Sequence, residues 1–375
     1  MVAALQVAIC IGQLGRGGSE KQLIGFLNGI DRQLIEPQIW VFNSGGAWEE
    51  PLRELGVKVI DFSAWPKLTR AFNVWRFSLR QRLDVWWSWS YYTNFYANFV
   101  PLSIPRIGSI RSSLWYAREV VGFLYPMCER NLQLMVANSS ATISELHLDQ
   151  YAADCTWVGN AINCSDVYSS AMRQKWRIAH GLSLQTRLVV GVGRLDANKN
   201  FSALIKAFAN LPLDESKLLI AGDGPQRKDL EQHIIKLGLS KKVELLGVIA
   251  DANDLIAAAD VLVHPSLSEG MPNVVMEAIA ARVPVVATLV NGIKDLLPSD
   301  NEGWVVPQSD LYALRAAILE AILEPVKAQR RVNRAFERLH QLFNSERVAQ
   351  FLQAWLFYVV HRGEKPPEFD VEPGR

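Results

Sequence analysis

The sequence predicts an α/β chain of two doubly wound domains, each a parallel sheet flanked by helices, facing one another across a cleft. Three observations predict it. Short apolar runs alternate with amphipathic helical stretches over most of the 375 residues. The runs fall into two series, with a joint inside 159–186. The chain is also long enough for two domains with real cores.

In order, the first series places strands at 6–11, 38–42, 57–61, 85–89, 106–110, 134–137 and, shortest, 155–158. The second places them at 188–192, 217–221, 243–246, 261–264, 283–287 and 303–306. Helical stretches fall between them, including 225–237 after a Gly-Asp-Gly-Pro turn and 273–281 after Pro272. The implied domains are 1–165 and 166–344. Val348, Leu352, Trp355 and Val359 at helical spacing mark a last helix, 345–362, expected to pack back on the first domain. Residues 363–375 are rich in proline and charge and are expected to be disordered.

The totals exclude several classes. A net charge of +1 speaks against a nucleic-acid partner. Cys10, Cys128, Cys155 and Cys164 have no paired spacing for a metal or a disulfide framework, and no signal peptide opens the chain. A reducing cytoplasm is the expected location. Residues 85–105 carry no charge and are long enough to cross a bilayer, but Ser88, Ser90, Thr93, Asn94, Asn98, Ser103 and two prolines make a strand, loop and buried helix the better account.

The densest chemical signal is Ser268-Glu269-Gly270-Met271-Pro272-Asn273-Val274-Val275-Met276-Glu277. Glu269 falls in the loop at the carboxyl end of strand 261–264, and Glu277 on the helix that follows. Pro272 suits the first helical turn, where its missing N–H costs nothing. Gly270 lets the backbone approach a ligand, and free N–H groups at the helix start favour an anion such as phosphate. Strand 188–192 delivers Arg194, with Lys199 five positions on; a planar fork and a point charge suit a diphosphate. Strand 217–221 runs into Gly222-Asp223-Gly224-Pro225, a tight glycine turn. Each feature alone reads as solvated charge or an ordinary turn; together, in one domain, they point to a phosphate-bearing ligand beyond the strand ends.

These residues resemble the nucleotide-sugar-binding domain of retaining glycosyltransferases of family four, whose two Rossmann-like domains form the fold called GT-B. The matching segments are Val192-Gly193-Arg194-Leu195, Lys199-Asn200, Ala221-Gly222-Asp223-Gly224-Pro225, Leu246-Gly247, Ala259-Asp260-Val261, Pro265-Ser266, Glu269 to Asn273, Glu277-Ala278 and Pro284-Val285-Val286-Ala287. The first half matches through Leu14-Gly15-Arg16-Gly17-Gly18-Ser19-Glu20, Ala137-Asn138-Ser139 and Gly159-Asn160-Ala161-Ile162-Asn163. The resemblance implies a transferase that moves a sugar from a nucleoside diphosphate sugar to a glycan or lipid-linked glycan, in cell-surface polysaccharide or lipopolysaccharide biosynthesis. It implies that Arg194 and Lys199 neutralise the leaving diphosphate and that Glu269 contacts sugar hydroxyls near the reacting carbon. Glu277 would hold the ribose, and backbone N–H groups of Gly270, Met271, Pro272 and Asn273 would line the sugar and phosphates (proline offering only its position). The loops near Gly222 and Gly247 would border the nucleobase, with Gly224 also on the donor side. Gly17 and Gly18 would approach a phosphate or acceptor, though a plain strand-to-helix turn explains these two as well. No cofactor and no metal is implied, since arginine and lysine supply the positive charge.

The chain departs from the family where many relatives carry a first-domain histidine. Here those places read Trp87-Ser88-Trp89-Ser90 and Ser109-Ile110-Arg111-Ser112. The leaving phosphate oxygen can take the acceptor proton instead. Arg111 and Asn138 are acceptor-side candidates; Arg111 could bind an acidic acceptor or the donor phosphate, and a surface or structural arginine stands equally open for it. His264 is expected to be structural or a minor sugar contact. Residues 65–83 hold Lys67, Arg70, Arg76, Arg80 and Arg82 without an acid, interleaved with aromatics. Such a helix can lie on an anionic membrane at the inner face; an ordinary helix with Trp75 and Leu79 packed inward is the favoured account. Most of the other tryptophans are expected in the core. Two alternatives remain: a nucleotide-sugar epimerase on the same fold, or a binding subunit without catalysis. A Rossmann dehydrogenase does not fit, because Gly12, Gly15, Gly17 and Gly18 lack the dinucleotide order.

Overall fold

The computed structural model describes residues 4–15, 17–43, 45–148, 153–163, 170–250 and 252–369. Arg16 and Cys164 lie outside the described residues, as do 370–375 of the expected tail. Two compact units emerge, Met1–Ala161 with Leu342–Arg375, and Ile162–Gln341.

The first unit is built on β1 (Leu5–Ile11), β2 (Ile35–Val41), β3 (Lys58–Asp61), β4 (Val85–Ser88), β5 (Arg106–Ile110), β6 (Leu134–Ala137) and β7 (Asp154–Trp157). They form one parallel sheet in the order β3-β2-β1-β4-β5-β6-β7. The chain order reverses between β1 and β4, so the crevice where loops diverge lies at the carboxyl ends of those two strands. Both faces of the central strands are buried, which is why β1, β4 and β6 read as near-continuous apolar runs, while the edge strand β3 is partly exposed. Trp40, Trp86, Trp87 and Trp89 are all fully buried, so these tryptophans are core. Residues 85–105 form β4 and then a 3-10 helix, Tyr91–Phe99. No described helix is long and apolar enough to cross a membrane.

The helix Ser345–His361 packs against Gly18–Gly29, where a Cβ on Gly29 would stand 2.7 Å from that of Ala349. The expectation of disorder beyond 363 fails for Phe369. Its ring is fully buried against Trp157, Phe343 and Phe351, and Arg347 Nη2 donates to its carbonyl at 3.0 Å. One aromatic ring supplies enough apolar area to anchor a polar segment.

A second outcome runs against expectation. In the helix Lys67–Arg80, the residues turned inward are Asn73, Val74 and Ser78, with Phe77 half-buried. Phe72, Trp75 and Leu79 face outward, 58%, 45% and 52% exposed. The inward face closes on Phe62 and Trp40, which meet Phe77 edge to face and leave the outer residues no room.

The second unit is built on β8 (Arg187–Val192), β9 (Ser216–Ala221), β10 (Val243–Gly247), β11 (Val261–His264), β12 (Val285–Thr288) and β13 (Trp304–Val306). Its parallel order is β10-β9-β8-β11-β12-β13. Here the reversal lies between β8 and β11. The helix Ser170–Ala179 is latched to this sheet by Arg177, 2% exposed. Its guanidinium donates to Asp260 Oδ2 at 2.7 Å and to the carbonyls of Ala258, Leu184 and Thr186.

Candidate active site

Because β8 and β11 are hydrogen-bonded neighbours, the loops that leave their carboxyl ends must meet. The loop after β8 carries Arg194, Asn198 and Lys199; the loop after β11 carries Ser266, Glu269 and Gly270. Leu267 N donates to Asn198 O at 2.7 Å, and Asn198 Nδ2 to Ser268 O at 2.7 Å. Ser266 Oγ also lies 3.1 Å from Asn198 O, within reach of it when its proton is not given to Glu269. This lacing sets the two loops in register before any ligand arrives.

Within the lacing, Lys199 Nζ forms an ion pair with Glu269 Oε1. Ser266 Oγ donates to the same oxygen at 2.7 Å, and His264 Nε2 approaches it at 3.4 Å. Burial alone would push the Glu269 carboxyl up. The His264 contact and the Lys199 charge outweigh it and hold the group down at about 2. His264 is itself pushed below its ordinary value by burial, against the pull of Glu269. Glu269 is therefore an anion at neutral pH, and His264 is held towards its neutral form. His264 takes the structural place expected of it, at the foot of Glu269.

Arg194 does not join this pair. Its side chain is 71% exposed and its Nε lies 3.7 Å from Asp196 Oδ2. The Asp196 carboxylate also accepts from Lys199 N at 3.1 Å, so the loop that holds Lys199 also holds Arg194 at the surface. An arginine so weakly held loses little on turning to a ligand.

The glycines have a reason nearer than a nucleobase. A Cβ on Gly222 (φ +137°) would sit 1.8 Å from Gly193 O, and one on Gly224 would sit 2.5 Å from Leu195 O. Backbone therefore lies on backbone where the β9 loop supports the Arg194 loop. Gly292 (φ +60°) does the same beneath Gly270, whose carbonyl would be 2.1 Å from an added Cβ. The helix Asn273–Ala280 starts with Pro272 as its N-cap, one residue earlier than a place in the first turn, and no side chain caps it. Backbone at ψ 115° ahead of a proline-led turn keeps Pro272 outside the helix. Met271 is buried, while Asn273 and Glu277, one turn apart, are half-buried on that helix.

Sequence reasoning assigned no role to Asn198, Ser266, Thr288 or Gln308. Thr288 Oγ1 donates to Ser266 O, and Gln308 Nε2 donates to Leu267 O at 2.9 Å and to Leu289 O at 3.0 Å. Asn198, Thr288 and Gln308 act on backbone carbonyls across loops, which no spacing in the sequence encodes, while Ser266 holds the Glu269 carboxylate. The one available signal was a hydroxyl placed directly after a strand at Pro265-Ser266.

In the first unit, Gly17 is the extended N-cap of the helix Gly18–Gly29, and a Cβ there would meet the Glu20 carboxylate at 2.3 Å. Glu20 is buried, which pushes its carboxyl up. Arg111 follows β5, with its guanidinium 3.8 Å from the Trp89 ring centre and Nη1 donating to Asn160 Oδ1 at 3.4 Å. Asn138, after β6, donates Nδ2 to the same oxygen at 3.4 Å.

Residues 172–338 match the family described as Glycosyl transferases group 1. Over 356 residues the chain is 29% identical to a Campylobacter jejuni protein, covering 89% of this chain and 93% of that one. That protein is named GalNAc-alpha-(1->4)-GalNAc-alpha-(1->3)-diNAcBac-PP-undecaprenol alpha-1,4-N-acetyl-D-galactosaminyltransferase. A Rhizobium meliloti protein, lipopolysaccharide core biosynthesis glycosyltransferase LpsD, is 24% identical over 88% of this chain and 92% of its own. Among solved structures, Anabaena HepE in complex with UDP-glucose aligns at a TM-score of 0.82 and 22% identity, over 94% of this chain and 99% of that one. WaaG, a glycosyltransferase involved in lipopolysaccharide biosynthesis, aligns at 0.73 and 19% identity, over 92% and 98%. The two Rossmann-like units are those of the GT-B fold.

Proposed function

Since this chain belongs to the group 1 glycosyl transferases, we propose that it moves a sugar, with retention at the anomeric carbon, from a nucleoside diphosphate sugar to a hydroxyl of a glycan or lipid-linked glycan. The named relatives, one acting on an undecaprenol-linked glycan and one in lipopolysaccharide core assembly, support a place in cell-surface polysaccharide biosynthesis. The single observation that carries the reading is the Lys199–Glu269 pair, set where β8 and β11 diverge.

As the anomeric carbon–oxygen bond breaks, positive charge spreads over the sugar ring and negative charge builds on the diphosphate. Lys199, already oriented, and Arg194, free to turn, meet that negative charge where it develops. Glu269 remains an anion and accepts from sugar hydroxyls; Glu277 accepts from the ribose. Backbone N–H groups at the open helix start near Gly270, Met271 and Asn273 face the sugar and phosphates. The departing phosphate oxygen takes the proton of the acceptor hydroxyl as the oxygen of that hydroxyl bonds the anomeric carbon on the face the phosphate leaves. The bond broken is thereby replaced and the charges cancel. No metal is written into this step, because the two cations supply the charge; loss of activity on chelation, restored by magnesium, would contradict that. The test is a thermal-shift panel of UDP, GDP, ADP and their sugars, with donor hydrolysis measured in parallel. A preferred ligand should stabilise by about 2.7 kcal/mol at a hundredfold excess over its dissociation constant. A protein that none of them stabilises, and that cleaves no donor, is not this enzyme. Binding without cleavage or transfer would instead indicate a non-catalytic subunit.

Peripheral attachment belongs to the same reading. Phe72, Trp75 and Leu79 form one exposed stripe on the helix Lys67–Arg80, with Arg76 and Arg80 beside it and no acid in the helix. An apolar stripe flanked by arginines suits an anionic lipid surface. Binding to phosphatidylglycerol vesicles should fall with salt and with Trp75→Ser; no binding at low salt would end the idea.

A further inference from the structure

We infer that the carboxyl ends of β4 to β7 in the first unit form a binding site for an anionic group on the acceptor carbohydrate, with the Arg111 guanidinium as its counter-ion. The inference rests on the transferase reading and adds the chemical class of the acceptor.

Four residues that immediately follow parallel strands, or the loop just beyond one, build the site: Trp89 after β4, Arg111 after β5, Asn138 after β6 and Asn160 beyond β7. The guanidinium lies flat against Trp89 at 3.8 Å. Its polar contact is one long hydrogen bond to Asn160, its Nε is buried without a partner, and among the described residues it pairs with no carboxylate. Burial pulls its pKa down to about 9, so it remains a cation at neutral pH. Arg111 as a whole is half-buried, but its Nε is shut off from water and its charge faces no carboxylate, so an incoming oxyanion would meet a cation that is only partly solvated. Arg177 in the same chain shows what a structural buried arginine looks like: a carboxylate and three carbonyls share its donors. Arg106 is also poorly partnered, but it opens β5, at the amino end where such sheets do not bind ligands.

Asn138 Oδ1 is the second unsatisfied atom of the group, buried and without a donor. A guanidinium in need of an oxyanion beside a carbonyl in need of a hydroxyl describes a sugar that carries both, a uronate or a sugar phosphate. The site is rigid before binding. Trp89 Nε1 donates to Ser19 O at 2.9 Å, and Gln22 Nε2 donates to Ala161 O at 2.9 Å, next to Asn160. The guanidinium therefore gives up little freedom when the anion arrives.

Glucose, glucuronate and glucose 6-phosphate, titrated calorimetrically into the full chain, test this. At least one anionic sugar should bind ten or more times tighter than glucose, and which one does separates a carboxylate acceptor from a phosphate. Arg111→Gln should abolish that preference, Arg111→Lys should keep part of it, and Asn138→Asp should reverse it by adding a like charge. Lys199→Gln should leave the preference standing. Equal affinity for the three sugars, or a preference that survives Arg111→Gln and disappears in Lys199→Gln, overturns the proposal. The nucleotide panel is scored separately on the wild-type chain, so loss of this site and loss of the transferase reading are distinguishable.

Discussion

Lys199 has its charge and its direction set before substrate arrives, by a carboxylate that is a candidate sugar contact. Removing such a preorganised charge commonly costs on the order of 10²–10³ in turnover. Lys199→Ala should therefore lose about that much kcat while keeping its fold by circular dichroism. Arg194→Ala should lose kcat as well, and more cleanly, because an exposed side chain paired at 3.7 Å contributes little to stability. Unchanged transfer by either variant removes the diphosphate role. Glu269 makes a pH prediction. Its folded pKa, about 2, lies below the unfolded value of about 4.3, so its stabilising contribution is complete above that value and is lost as pH falls towards 2. The stability gap between wild type and Glu269→Gln, measured by denaturant titration, should be constant from pH 7 to 5 and shrink below 4. A gap that widened on acidification would mean that Glu269 is not held down by Lys199 and His264.

The elements show which kinds of sequence signal carry through to structure. The thirteen strands among the described residues stand within three residues of their expected ends. Central ones such as β1, β4, β11 and β12 were legible because a strand buried on both faces needs apolar side chains on both, whereas β3 and β10, at the sheet edges, are partly exposed. Glu269, Lys199 and Glu277 were legible for a related reason: each lies at a strand end or on the helix that follows. The orientation of the helix Lys67–Arg80 was not legible. Phe72, Trp75 and Leu79 at i, i+3 and i+7 look the same whether that stripe packs inward or meets another surface, and only the already filled Phe62–Trp40 side decides. The loop lacing through Asn198, Thr288 and Gln308 was hidden because its acceptors are carbonyls of any residue type. The latch on the helix Ser170–Ala179 is more readily tested than its sequence is read. Asp260 accepts from Arg173, Arg177 and Leu188 N at 2.6–2.7 Å. Asp260→Ala would leave Arg177, 2% exposed, as an uncompensated buried charge, at a cost of about 3–5 kcal/mol. The denaturation transition of the second unit should record that loss. A change under about 1 kcal/mol would mean that solvent reaches the guanidinium.

At the scale of the whole molecule, the chain leaves its first unit at Ala161, builds the second, and returns at Leu342 to finish the first. The return has an energetic basis in the final segment. Phe369 fills a site made by Trp157 beside β7 and by Phe343 and Phe351 on either side of the helix start at Ser345, so one ring joins chain segments more than 200 residues apart in sequence. Asp154 supports the same junction, accepting from Tyr358 Oη at 3.0 Å and meeting Lys365 Nζ at 3.5 Å. Truncating a fully buried phenylalanine costs about 3–5 kcal/mol. Phe369→Ala should lower the stability of the first unit by that order, and deletion from residue 363 should do the same. The second unit keeps Arg194, Lys199, Glu269 and Glu277, the residues proposed to hold the donor, so its response to the preferred nucleoside diphosphate should be unchanged. Hydrogen exchange read separately over 5–11 and 188–192 distinguishes the two. Protection should fall in β1 and persist in β8, and equal losses in both would show that the tail supports the chain as a whole rather than the unit it completes.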